Sequence, residues 1–417
     1  MGDEGGREAK RSVSGELRGA ARLLVHATTK VTDIVQGMHV TIAGGPAVLG
    51  APLAPVVKAL TRPTYAAIRG VTGLVGVGLD RVFAELEPAL GARATSEEYD
   101  AVLAALNGVV GDHLAETRNP LALEMDLLVD GAPVTVTPEG LRRALPEANG
   151  RVLLLLHGSS MDARGWRRRG HDHGEALARD HGYSPVYLRY NSGLHVSTNG
   201  AQLADRLEAL LAAWPVPVTS LTLLGFSMGG LVARAAVREA EARELAWRAR
   251  LSSMVFLGTP HHGAPLERVG NLVGVLFDAS RYSAPLRALP RLRSAGVTDL
   301  RFGSVLAADW QGRDRFALGG DERAPCPLPE GVACFALAGT RAFEAPADLR
   351  DVAALSGDGL VPVESALGRH RDSLLDLKFP LSNQVVVARA GHLDLLGHPD
   401  AYRAMARWLS DAGGSPG

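Results

Sequence analysis

Ser227 lies in "TLLGFSMGGLV" (222–232), with Gly225 two residues before it and Gly229 two after. An apolar run gives way there to a helical pattern. That context suits a nucleophile held on a strained strand-to-helix corner, where larger neighbours would clash. The alternative is a tight turn in which the serine is incidental. A serine hydroxyl attacks only if a nearby base takes its proton, and that base needs a group to orient it. Downstream, "VVVARAGHLDLL" places His392 just beyond an apolar run, and "LSGDGLVPVESA" sets Asp358 between glycines. Imidazole, with a reference pKa of about 6.5, accepts and returns protons near neutrality. His398 in "GHPD" competes with His392, but it precedes a proline and reads as a residue that starts a helix. Asp351, Glu364 and Asp394 compete with Asp358; Glu364 follows a proline-containing, strand-like run. The preferred set is Ser227 as nucleophile, His392 as base and Asp358 as its orienting acid.

Attack on a carbonyl builds an oxyanion, which preorganised N–H donors must meet. By the geometry of such a corner, one donor is the amide of Met228, the residue after the nucleophile. The second falls to the turn after Gly158 in "LLLLHGSSMDARGW", at Ser159. His261 and His262 in "GTPHHGAP" invite a metal reading, but adjacent histidines seldom face one ion and no carboxylate is spaced to join them. Pocket lining or satisfaction of loop carbonyls is the better expectation. No metal or organic cofactor is expected.

These residues need a frame. "RVLLLLHG" (151–158) is a short, wholly apolar run, as in a buried parallel strand. "YSPVYLRYN", "SLTLLGFS", "SSMVFLGTP", "ACFALAGT" and "NQVVVARAGH" repeat the theme, with helical segments over 199–213 and 229–250. "LEMDLLVDG" and "PVTVTP" read as a strand pair turning at Asp130-Gly131. Strands alternating with helices imply a mostly parallel sheet covered on both faces, which binds ligands at the carboxyl ends of its strands. The candidate residues fall at such ends in the order Ser, Asp, His, the order of the α/β-hydrolase fold. Between Gly263 and Leu328, residues Leu266, Val269, Leu272, Val273, Leu276 and Phe277 mark an amphipathic helix. An insertion of about 263–328 over the strand ends would form a helical cap, whose apolar underside suits an acyl chain. A cap packed shut on its own core is the alternative.

Residues 1–118 read as a helical, small-residue-rich region preceding a catalytic domain over 119–417. "SEEYDAVLAALNGVVGDHL" (96–114) fits a helix with Ser96 as N-cap. From Ile34 to Leu79 the charges are Lys58, Arg62 and Arg69, all positive. The segment 34–79 could pack on the main domain or meet an anionic lipid surface as a peripheral contact. The uncharged stretch from Ile34 to Val57 has the length to span a bilayer, but Pro46, Pro52, Pro55, Gln36 and His39 argue against a spanning helix. Glycines at 70, 73, 76 and 78 lack the Gly-Lys-Ser/Thr ending of a phosphate loop. The first residues show no apolar core of a secretory signal, so a cytoplasmic location is expected. With 44 basic and 45 acidic residues the chain offers no electrostatic case for a nucleic-acid partner. Two cysteines, Cys326 and Cys334, are too few for a disulfide framework and read as buried thiols or a single bridge.

Taken together, "HGSSMDARGW", "YLRYNSGLHVSTNG", "GFSMGGLVAR", "FLGTPHHGAPLER", "GDGLVPVESA" and "GHLDLL" resemble the bacterial lipase and esterase branch of the α/β hydrolases, the group similar to GPI inositol-deacylase-like lipases. The resemblance covers roughly residues 120–412. It implies Ser227, Asp358 and His392 as triad, Ser159 and Met228 as oxyanion donors, and Asn191 and Asn199 as polar braces. It implies cleavage of carboxylic esters, lipid-like ones above all, through an acyl-enzyme. It assigns no role to residues 1–118. Two rivals stay open: an acyltransferase using the same triad, and a non-catalytic membrane- or granule-binding module.

Overall fold

The computed structural model describes residues 97–264, 293–316, 320–346, 348–352 and 355–411. The segment 34–79, the glycines at 70–78, and the expected cap helix over 266–277 lie outside the described residues. Among the described residues eight strands form one sheet: β1 Asp126–Val129, β2 Ala132–Pro133, β3 Arg151–Leu156, β4 Ser184–Arg189, β5 Ser220–Phe226, β6 Leu251–Leu257, β7 Ala333–Gly339 and β8 Gln384–Val387. Their order is β2-β1-β4-β3-β5-β6-β7-β8. From β4 through β8 every pairing is parallel; only the β1–β2 and β1–β4 pairs are antiparallel. The helices of the described residues are α1 Glu97–Glu116, α2 Pro138–Ala144, α3 His173–His181, α4 Val196–Ala213, α5 Met228–Ala242, α6 Ala295–Asp299, α7 Val363–Ala366 and α8 Pro399–Asp411.

The apolar runs dictate this layering. In β3, Val152, Leu154 and Leu156 join Leu203, Leu207, Leu231 and Val232 of α4 and α5 in one core. The alternate residues Leu153 and Leu155 face the other way, with Leu177 of α3 and Met405 and Trp408 of α8. Side chains alternate across a strand, so a strand apolar at every position must be covered twice. Each such leucine contributes about 1.5–3 kcal/mol by burial, which anchors the strand that ends in the His157–Ser160 turn.

The hairpin turns at Asp130 and Gly131, both at positive φ (50° and 76°). The strand expected over 133–138 pairs only at Ala132–Pro133. Thr137 leaves it to cap α2, accepting from Gly140 N, and Pro138 suits the first helical turn. Residues Glu97–His113 of α1 belong to the same compact unit as the described residues from Leu123 onward. No helix among the described residues is long and apolar enough to cross a membrane.

Candidate active site

Ser227 is the hinge between β5 and α5, with φ 53° and ψ −123°. A non-glycine residue there is strained, and surrounding structure must over-determine it. It does: Ser227 N donates to Leu257 O of β6 at 2.9 Å, and Gly230 N donates to Ser227 O at 3.1 Å. The flanking glycines are set by crowding. A Cβ at Gly229 would stand 2.2 Å from Leu156 O, and one at Gly225 would stand 2.5 Å from the Gly230 backbone. Strand, corner and helix therefore approach more closely than any side chain permits.

Asp358 and His392, 34 residues apart, meet at the carboxyl ends of β7 and β8. Both are buried, and His392 Nδ1 lies 2.7 Å from Asp358 Oδ2. The other carboxylate oxygen accepts from Leu360 N and Val361 N at 2.9 Å each. The backbone closes the loop as well, with His392 N donating to Asp358 O at 3.1 Å. A carboxylate accepts, so Nδ1 carries the proton and Nε2 presents its lone pair. Nε2 is buried and has no hydrogen-bond partner among the described residues. The imidazole packs on Phe226, the residue before Ser227, with ring centroids 4.8 Å apart. Gly158 touches the same corner: a Cβ there would come within 3.2 Å of Ser227 Cβ.

Two of the competing residues are engaged elsewhere, and the other two lie on short helical elements. His398 Nδ1 accepts from Asp400 N at the start of α8. Asp394 accepts from Gly391 N and pairs with Arg169 at 2.8 Å. Glu364 lies on α7 and Asp351 in the 3-10 turn Leu349–Asp351. His261 is wholly buried beside Arg234, its Nδ1 3.3 Å from Nη1, and burial holds its pKa well below the ordinary value. Burial lowers His262 to about 4. Among the described residues no three His, Cys, Asp or Glu side chains form a group that could hold a metal. Cys326 and Cys334 are buried, unbridged thiols.

Met228 is the first residue of α5, and the first N–H groups of a helix have no acceptor within it. Ser159 is buried in the turn after β3. Its peptide is fixed by a residue whose role the sequence did not reveal. His157 Nδ1 lies 2.8 Å from Gly158 O, so the imidazole donates to that carbonyl. In a trans peptide the N–H points opposite the C=O, so His157 sets the direction of Ser159 N–H. His157 is itself stacked on Tyr190 at 4.3 Å, and Tyr190 OH donates to its carbonyl at 2.8 Å. Burial above all, helped by Arg189 and opposed by the Gly158 bond, lowers its pKa to about 4 and keeps it neutral. Beyond it, Ser160 N donates to Ser192 Oγ at 2.9 Å. Asn191 donates through Nδ2 to Gly111 O, and Asn199 Nδ2 donates to Asn191 O, each at 2.9 Å.

A mostly parallel sheet with an elbow serine at the end of its fifth strand and a His–Asp pair after its last two defines the α/β-hydrolase fold. Residues 131–299 match a family described as a domain of unknown function (DUF7379). Over 175 residues, 40% of this chain, the sequence is 33% identical to E3 ubiquitin-protein ligase TRIM56 of Bos taurus, and it spans 23% of that protein's length. Similar solved structures include the mature Bacillus licheniformis lipase BlEst2, at 16% identity and TM-score 0.41, covering 69% of this chain and 98% of that one. The Pyrococcus furiosus esterase Pf2001 has 14% identity and TM-score 0.37, covering 64% and 83%. YbtT, a type II thioesterase from the yersiniabactin NRPS/PKS pathway, has 17% identity and TM-score 0.39, covering 64% and 96%.

Proposed function

We propose that this protein is a serine hydrolase that cleaves carboxylic esters through an acyl-enzyme. The observation that carries the reading is the buried His392–Asp358 pair, its Nε2 without a partner among the described residues, packed on the strained corner that bears Ser227. In this reading His392 Nε2 takes the Ser227 proton as Oγ attacks the ester carbonyl. The amides of Ser159 and Met228 meet the oxyanion, and the protonated His392 then returns the proton to the leaving alkoxide. Water, activated by the same imidazole, releases the acid. Asp358 stays ionised, holding the ring and stabilising the imidazolium. Lipid-like esters are the proposed substrates, on the apolar pattern of residues 266–277 and the resemblance to lipases. The segment 34–79 is proposed as a peripheral membrane contact.

Labelling of the full chain by a fluorophosphonate, lost in Ser227→Ala, together with hydrolysis of a nitrophenyl ester series, tests the reading. A chain that neither labels nor cleaves any ester of the series is the binding module instead. Products formed with and without an acceptor alcohol separate hydrolysis from acyl transfer.

A further inference from the structure

The donor turn at Ser159 is held from outside the sheet. Helix α1 approaches it so closely that a Cβ on Gly108 would stand 1.9 Å from Ser160 Oγ and 2.8 Å from Ser160 Cα. Ser160 is itself at positive φ, 58°, so the turn adopts a conformation that its own sequence does not favour. One turn later, a Cβ on Gly111 would stand 2.0 Å from Asn191 Oδ1, and one on Gly193 would stand 2.2 Å from Asn107 O. Between the two α1 glycines the backbone leaves helical geometry at Val110 (φ −134°, ψ 17°). Gly108 O accepts from Ser294 Oγ at 2.6 Å, and Gly111 O accepts from Asn191 Nδ2 at 2.9 Å. Asp112 accepts from Ala295 N at 2.9 Å and pairs with Arg315 at 2.6 Å. Gly296 N closes the circuit onto Gly193 O at 3.0 Å. The 191–193 loop caught between α1 and α6 is the one whose Ser192 Oγ receives Ser160 N–H.

We propose that the Gly108–Asp112 stretch of α1 is a positioning element of the active site, setting the Ser159 amide directly against Ser160 and indirectly through the 191–193 loop. The inference rests on the serine-hydrolase reading and deepens it. A helix that touches neither substrate nor triad then sets transition-state stabilisation. The argument is geometric. Oxyanion donors must sit 2.7–3.1 Å from where charge develops, and a turn at positive φ is kept there by what packs on it. Gly108 permits that packing because it has no side chain. Removing residues up to Arg118 would strip the turn of this support.

Gly108→Ala in the full chain drives a methyl group into Ser160. The expected result is a fall in kcat of about ten- to a thousandfold, with KM within about threefold and slower fluorophosphonate labelling. Ser160→Gly in that background removes the closest atoms and should restore part of kcat. Leu103→Ala, a buried truncation on the same helix, should lower the melting temperature and leave kcat unchanged. If Gly108→Ala fails to fold, Ser192→Ala, which removes the acceptor of Ser160 N–H, should still lower kcat without raising KM. A folded Gly108→Ala with wild-type kcat overturns the inference, as does a Leu103→Ala that loses kcat equally, or a Ser192→Ala with unchanged kcat. A wild-type chain that neither labels nor cleaves esters removes the underlying reading along with it.

Discussion

Two histidine–carboxylate pairs among the described residues, one fully buried and one half-buried at its histidine, differ in everything around the pair. His392 faces Asp358 at 2.7 Å, its far nitrogen has no partner among the described residues, and its ring leans on the residue before Ser227. His195 faces both oxygens of Asp299, at 3.0 and 3.1 Å. There, however, Asp299 Oδ2 also accepts from Val196 N at the start of α4, and the imidazole lies flat on Trp310 with centroids 3.8 Å apart. Asp299 does for α4 what an N-cap side chain does, since His195 makes no cap bond of its own. In the proposed reading the same two residue types serve chemistry in one place and helix capping in the other. The deciding feature is the third neighbour: an elbow serine or an indole.

The largest effect follows directly. Ser227→Ala and His392→Ala should each lower ester turnover by about four to six powers of ten, whereas His195→Ala and His398→Ala should stay within a few fold of wild type. Steady-state rates on one soluble ester suffice to check all four. Wild-type-like turnover in His392→Ala would erase the distinction between the pairs.

The acids sharpen it further. Asp358→Asn keeps acceptors for Leu360 N and Val361 N but offers an amide donor to His392, favouring the wrong tautomer, and should cost about 10⁴ in kcat. Asp299→Ala should leave kcat alone and lower folding stability by about 1–3 kcal/mol, through a lost cap and a half-buried imidazole without its partner. Denaturant melts beside kinetics separate the outcomes. A kcat loss in Asp299→Ala would make the second pair part of the reaction.

Much of this was legible in the chain. Apolar runs such as "RVLLLL" mark strands buried on both faces because no other environment tolerates them. The glycines around Ser227 are legible because the corner admits no larger residue. Asp358 could be preferred because glycines flank it. The pairing of His195 with Asp299 was hidden because 104 residues separate them and each has an ordinary local context. The docking of α1 was hidden for a different reason. Helical periodicity reports that a face is buried, never against what. His157 escaped because its partner is its own neighbour's carbonyl, which leaves no pattern of residue types.

A smaller effect is expected at that residue. His157→Phe preserves the stacking area on Tyr190 but removes the donor to Gly158 O. The peptide carrying Ser159 N–H loses its lock, and kcat should fall about ten- to a hundredfold with KM little changed. A matching fall in KM's favourable binding instead, with kcat intact, would show that His157 shapes the substrate pocket and not the donor.

The smallest effect concerns pH and the carbonyl-bound histidines. His157 donates to Gly158 O and His173 donates to Leu395 O at 2.9 Å. The acceptor in each case carries no charge that would offset protonation, and burial lowers both to about 4. His173 also receives Nε2–H of His171 on Nδ1, at 2.8 Å, so a second proton there would meet a donor already in place. An unfolded histidine titrates near 6.5. Above that pH both states are neutral and folding bears no penalty. As pH falls from about 6.5 toward 4, the unfolded chain takes up protons that the folded one refuses, so stability falls by about 1.4 kcal/mol per pH unit for each such histidine. Below about 4 the folded groups protonate too and the dependence levels off. His173→Gln keeps a donor for Leu395 O while removing one titrating ring. Urea melts at pH 5, 6 and 7 should therefore show a shallower loss of stability than wild type, with kcat at pH 7 unchanged. An equal slope in the two proteins would mean that His173 titrates alike folded and unfolded.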